Sequence, residues 1–105
     1  MKFKKGDNVE VISGKDAGKR GRVLVVDRSR ERLVIEGVNM IKRHTRPNPQ
    51  KNVKGGVVER EASIHVSNVM IISPDSGQRS RIGMQLLDDG RKVRVAKVDG
   101  AILDR

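Results

Sequence analysis

The sequence predicts an all-β fold, and three observations carry the prediction. Apolar residues either alternate with polar ones or run in short stretches, glycine and proline divide those stretches, and no segment shows helical periodicity. A chain of 105 residues is long enough for one small core and an extension of it. The expected architecture is a small barrel or strongly bent sheet of about five or six strands over residues 1–72, followed by a C-terminal β-hairpin appendage over 73–105.

The elements are justified in chain order. In "NVEV", Val9 and Val11 alternate with Asn8 and Glu10, which gives a strand one buried face. "RVLVVD" (22–27) is apolar on both faces and is expected to be a central strand. The polar "DRSRE" is a hairpin turn into "RLVIEG" (32–37), after which "VNMI" (38–41) either continues the sheet or bends away at Gly37. "KRHTRPNPQKNVKGG" (42–56) holds two prolines, two glycines and no acid, and is expected to be a long basic loop. "VVERE" (57–61), "SIHV" (63–66) and "NVMII" (68–72) resume strand character. Beyond Pro74, "RIGMQLL" (81–87) and "RKVRVAKV" (91–98) read as a hairpin turned at Asp89-Gly90. Met40, Met70 and Met84 fall in strands and are expected to fill the core.

Charge narrows the function. The formal net charge is +10 and it is unevenly spread: residues 1–60 carry 16 Lys/Arg against 7 Asp/Glu, residues 61–105 carry 7 against 6. A basic half beside a near-neutral half implies a polyanionic partner. A membrane binder would show a basic amphipathic helix with large apolar residues, and none is present, so nucleic acid is the expected partner. Phe3 is the only Phe, Tyr or Trp, which leaves base stacking only to Phe3 itself or to Arg planes and excludes proline-peptide grooves and methyl-lysine cages. Recognition of folded nucleic acid through phosphate, sugar and shape remains. The absence of cysteine removes disulfides and thiolate zinc sites and fits a reducing compartment. With no signal-like N-terminus, and "VMII" (69–72) as its longest apolar stretch, the chain is expected to be a soluble cytoplasmic protein.

"SGKDAGKRG" (13–21) is the densest motif, and three readings compete for it. A nucleotide-binding P-loop needs four residues between its glycines, then Lys-Ser/Thr and a helix. Here three residues separate Gly14 from Gly18, Arg20 stands where the hydroxyl should be, and a strand follows. A plain turn would use Gly14, Gly18 and Gly21 for positive φ or close backbone approach and leave its cations solvated. The third reading is a turn that holds nucleic acid, favoured because like charges crowd usefully only against a polyanion.

"KGDNVEVISGKDAGKRGRVLVVD" resembles a KOW motif, the strand–loop–strand unit of RNA-associated SH3-like barrels. "VIEGVNMIKRHTRP", "GGVVEREASIHVSNVMI" and "RIGMQLLDDGRKVRVAK" then resemble, in order and spacing, the L-twenty-four family of bacterial-type large-subunit ribosomal proteins, over nearly the whole chain. The resemblance implies an SH3-like barrel that binds large-subunit 23S rRNA near its 5′ end, early in assembly, at a mature position near the peptide exit tunnel. It implies one copy per subunit beside neighbouring large-subunit proteins, and no cofactor, metal, membrane, small-molecule substrate or reaction. The residues expected to contact rRNA are Lys15, Lys19, Arg20 and Arg22 in the glycine turn; Lys42, Arg43, His44, Arg46, Lys51 and Lys54 in a basic arm (42–56) stiffened by Pro47 and Pro49; and Lys2, Lys4 and Lys5. A KOW unit also occurs in transcription elongation factors, usually behind another domain, whereas here it opens the chain.

Some members of that family carry Cys-Pro-x-Cys-Gly and later Cys-x-x-Cys-Gly, a zinc-ribbon pattern. The chain reads "SPDSG" (73–77) and "AKVDG" (96–100), so Ser73, Ser76, Ala96 and Asp99 occupy the ligand positions. Either the hairpin is a zinc ribbon that has lost its cysteines or Pro and Gly simply punctuate it. In both cases no zinc is expected, and the hairpin is expected to be held by other means, either packing of Ile82, Met84, Leu86, Val93 and Val95 or docking on RNA. His65 is expected to act as a structural hydrogen bonder, and no Ser/His/Asp set has supporting spacing for catalysis.

Overall fold

The computed structural model describes residues 2–45 and 56–104. Its strands are β1 (Asn8–Val11), β2 (Arg20–Asp27), β3 (Arg32–Ile35), β4 (Met40–Thr45), β5 (Gly56–Glu61), β6 (Ile64–His65), β7 (Val69–Ile72), β8 (Arg79–Ser80), β9 (Ile82–Leu86) and β10 (Lys92–Ala96), with one 3-10 turn over Val66–Asn68. The all-β expectation holds. Six strands form one antiparallel sheet in the order β6-β3-β2-β1-β7-β8, and β4-β5 and β9-β10 form two separate ribbons. The curved sheet closes on an aliphatic core of Val9, Val11, Val23, Leu33, Ile35, Val38, Ile64, Val69, Ile71 and Ile82. β-Branched residues dominate that list, as suits a tightly pleated surface.

β2 is central, between β3 and β1, but only one side of it is covered. A bulge between Val23 and Val25 shifts its register against β3. The extra residue carries the inward position from Val23 to Val26, which packs on the core, and turns Val25 outward to 54% exposure. Of the two paths open after Gly37, the chain takes the bend: Gly37 and Asn39 have φ of 72° and 54°, Val38 is pinned in the core between them, and the backbone leaves the sheet.

The long basic loop is shorter than its sequence suggests. β4 and β5 pair from Met40↔Glu61 to Thr45↔Gly56, so Lys42, Arg43 and His44 stand on a β-ribbon. Pairing needs only backbone N–H and C=O groups, and "KRHT" (42–45) holds no apolar residue whose alternation could be read. Met40 is 39% exposed on this ribbon and lies outside the core, so it does not fill it.

Past residue 72, where the sequence draws its boundary, the chain first adds β8 to the edge of the main sheet. The β9–β10 hairpin then turns through Asp88, Asp89 and Gly90, one residue more than expected, with Gly90 at φ 89° and Leu87 N donating to Arg91 O at 2.7 Å. Ile82 and Val93 are buried as predicted. Met84 and Leu86 are not: they share the face of β9 that buries Ile82, but they lie nearer the turn, past the core that Ile82 joins, and are 51% and 64% exposed.

Two polar devices that the sequence reading missed hold this hairpin. The first occupies the four would-be ligand positions. Ser73, only 1% exposed, donates to Asp99 Oδ2 at 2.6 Å and accepts from the backbone N–H of Asp75 and Ser76. Matching turns close around it, Gly77 N to Ser73 O at 2.9 Å and Gly100 N to Ala96 O at 2.7 Å. The Ser73 and then the Ser76 hydroxyl hold the Asp99 carboxyl below the usual carboxylate range. Hydrogen bonds thus tie together the two turns that a metal would otherwise join. Ser73→Ala is expected to lower the unfolding free energy by about 1 kcal/mol, and a chelator to leave Tm unchanged. One equivalent of zinc in elemental analysis of the purified protein would contradict this account.

The second device is Arg94 on β10, 5% exposed. Its Nη1 donates to Asp7 Oδ2 at 2.6 Å and to the Lys2 carbonyl at 2.9 Å. Nη2 donates to Asp7 Oδ1 at 3.0 Å and Asp104 Oδ1 at 2.8 Å, and Nε to Asp104 Oδ1 at 2.9 Å. Every guanidinium donor is used, and the residues it joins belong to the N-terminal segment, the hairpin and the C-terminal segment.

Candidate nucleic-acid interface

The glycine turn links β1 to β2 with a tight set of backbone bonds: Val11 N to Lys19 O at 2.9 Å, Gly18 N to Val11 O at 2.7 Å and Lys19 N to Asp16 O at 3.0 Å. Gly14 and Gly18 take φ of 90° and 93°, a conformation that other residues adopt at a penalty. Gly21 serves differently. A Cβ there would lie 2.6 Å from the Glu36 carbonyl oxygen, so only glycine lets β2 pass this close to the end of β3.

The turn presents its cations outward. Lys15, Lys19, Arg20 and Arg22 are all exposed. Asp16, buried beneath them, accepts from Asn39 N at 2.9 Å and pairs with Lys19 Nζ at 2.9 Å; the Lys19 bond foremost keeps its carboxyl below the usual range. Arg20 and Arg22 flank Gly21 on the outer face of β2. Glu10, opposite Arg20 on β1, is shared by Arg20 Nε at 2.8 Å and Arg79 Nη1 at 3.3 Å. One carboxylate between two guanidiniums orients both and leaves the face net positive. Arg79 was absent from the sequence reading; only the pairing of β7 with β8 brings it here.

The other cations lie apart. Lys2, Lys4 and Lys5 sit at the opposite end of β1 from the turn. Lys2 Nζ donates to the Ile82 carbonyl at 3.3 Å, Lys4 pairs with Asp104 at 3.6 Å, and both line a groove with Arg28 and Lys92. Lys42 is exposed on β4. Arg43 and His44 lie in the same strand, and Arg46, Lys51 and Lys54 fall outside the described residues. The described cations therefore form groups at both ends of β1 and on the ribbon. His65 acts structurally: its Nδ1 accepts from Ser67 N at 3.2 Å and caps the 3-10 turn.

Among the described residues no cluster of three or more His, Cys, Asp or Glu could hold a metal ion, and no helix is long and apolar enough to cross a membrane. What the arrangement offers is fixed positive charge on a closely turned backbone, suited to binding phosphates.

Comparison with known proteins bears on this surface. A family model for the KOW motif matches residues 5–36, the glycine turn with both its strands. A second, described as large ribosomal subunit protein uL24, C-terminal domain, matches residues 38–103. The large ribosomal subunit protein uL24 of Brevibacillus brevis is 53% identical over the full length of both chains. That of Carboxydothermus hydrogenoformans is 55% identical over all of this chain and 97% of its own, and that of Xanthomonas oryzae pv. oryzae 54% identical over 98% and 96%.

Proposed function

The chain belongs to the uL24 family, structural constituents of the large ribosomal subunit, and from that premise we propose that it binds 23S rRNA near the 5′ end, early in subunit assembly, at a place beside the peptide exit tunnel. The observation that carries the RNA-binding part is the glycine turn, where four exposed cations surround a backbone held in conformations that let it approach a phosphate chain closely. Lys15, Lys19, Arg20 and Arg22 neutralise phosphates there. Lys42, Arg43, His44, Arg46, Lys51 and Lys54 extend the contact, and Lys2, Lys4 and Lys5 add a third. The protein works by binding alone, without cofactor or reaction, as one copy among neighbouring large-subunit proteins.

The experiment is a salt series of binding to a 5′-domain fragment of large-subunit rRNA, against an unrelated folded RNA of equal length. Binding that prefers the rRNA fragment and persists near physiological salt is expected, with a steep negative slope of log K against log salt. Equal affinity for both RNAs would overturn the rRNA assignment, and a flat salt response would overturn phosphate binding.

A further inference from the structure

Beside the glycine turn, where β1 and the turn face β6 and the Val66–Asn68 segment, lies a recess of about 190 Å³. Drug-sized ligands occupy pockets of roughly 300–1,000 Å³, so this one suits a single small planar group. Its floor is apolar, with Val11 and Ile64 both buried. Its walls are polar and rigidly held. Arg32 Nε donates to Ser63 Oγ at 2.6 Å and Nη2 to the Ser63 carbonyl at 2.7 Å, which fixes the guanidinium plane. Asn39 Nδ2 donates to the Ser63 carbonyl at 3.2 Å, and Asn68 Oδ1 accepts from Ser13 Oγ at 2.7 Å. Those bonds use one end of each amide. Asn39 Oδ1 is left as an acceptor and Asn68 Nδ2 as a donor, with no partner among the described residues. Lys15 stands at the rim, and the Asp16 carboxylate also lines the recess.

We propose that this recess receives one unstacked nucleobase of the bound RNA, with the Arg32 guanidinium as its stacking plane. The proposal rests on the RNA-binding reading above and deepens it. A bare anion is disfavoured by Asp16 and the apolar floor. A base fits: its faces meet Arg32 and aliphatic carbon, its edge meets one amide acceptor and one amide donor, and its phosphate stays outside at Lys15. Phe3, the one Phe, Tyr or Trp in the chain, packs against the core, so it offers no free ring face for a base. Arginine planes serve that role where aromatics are missing.

The test is an NMR titration of the full chain with each of the four ribonucleoside 5′-monophosphates, and separately with inorganic phosphate. At least one nucleotide is expected to shift the amide signals of Ser13–Asp16, Asn39 and Ser63–Asn68, while phosphate does not. Arg32→Lys keeps the charge but loses the plane and the fork to Ser63. It is expected to abolish the nucleotide shifts and to weaken binding of the 5′-domain rRNA fragment about tenfold, the scale of one lost base stack, at unchanged salt slope. The wild-type titration does not depend on how the variant folds. If no nucleotide acts beyond phosphate, the recess is not a base site. Tight, salt-sensitive binding of the rRNA fragment in the same preparation would then leave the RNA-binding reading standing, and loss of both would remove both.

Discussion

Arg94→Ala is expected to lower the unfolding free energy by about 3–5 kcal/mol, against a total of roughly 5–15 kcal/mol for a domain of this kind. The guanidinium is nearly inaccessible and each of its donors is engaged, so truncation leaves Asp7 and Asp104 with only the exposed Lys4 ammonium, 3.6 Å from Asp104, to offset them. Breaking such a group from one side leaves uncompensated charge in a poorly solvated place, and this outweighs the net gain the intact group gives. Urea unfolding followed by far-UV circular dichroism is the measurement, because the chain has no Trp or Tyr to report by fluorescence. A loss below about 1 kcal/mol, the scale of an exposed pair, would show that the hairpin is held elsewhere. The same group contributes to the acid limb, alongside Asp16 and Asp99. Arg94 foremost depresses the Asp104 carboxyl, so its contribution is complete above the unfolded carboxylate value of about 3.9 and is lost as pH falls through the lower folded value. Wild-type stability should therefore hold steady down to about pH 5 and fall steeply below about pH 4, with a shallower fall in Arg94→Ala.

How much of this was legible in the sequence depends on what each feature rests on. Alternation at Val9 and Val11, the turn after Asp27 and the three glycines of the β1–β2 turn are local, and the structure places them as the sequence implies. Features that depend on a partner strand were not legible. Val25 looks like core until the bulge turns it out, Met84 and Leu86 until the hairpin shows how far along it the core reaches, and Lys42–Thr45 like loop until β5 pairs with it. The same holds for the candidate site. Four cations next to glycines in sequence were easy to find, whereas Arg79 and Arg32 reach the glycine-turn end of the barrel only through pairing with β7 and bonding to Ser63. Arg94 carried no signal at all, since one Arg in "RKVRVAKV" looks like the others until Asp7 and Asp104 close around it.

Replacing Lys15, Lys19, Arg20 and Arg22 together with alanine is expected to lower the slope of log K against log salt for the rRNA fragment by up to about four, roughly one for each phosphate contact removed. Over a fourfold change in salt that slope is worth a factor of about 10² in affinity. The effect should fall unequally on the four. Lys19 and Arg20 already answer Asp16 and Glu10, so part of their charge is spent within the protein. Lys15 and Arg22 have no acidic partner within ion-pair distance among the described residues, and single substitutions there should take the larger share. Stability should move little, because the cations of these pairs are half exposed and such pairs contribute about 0–1 kcal/mol each, and the turn's backbone bonds and glycines are untouched. Far-UV circular dichroism and Tm must therefore match wild type before the binding result is read. An unchanged slope in a folded quadruple variant would place the phosphate contacts on the ribbon and the N-terminal lysines instead. A reduced slope with preference for the rRNA fragment intact would mean that the turn supplies affinity while shape and the remaining contacts select the site.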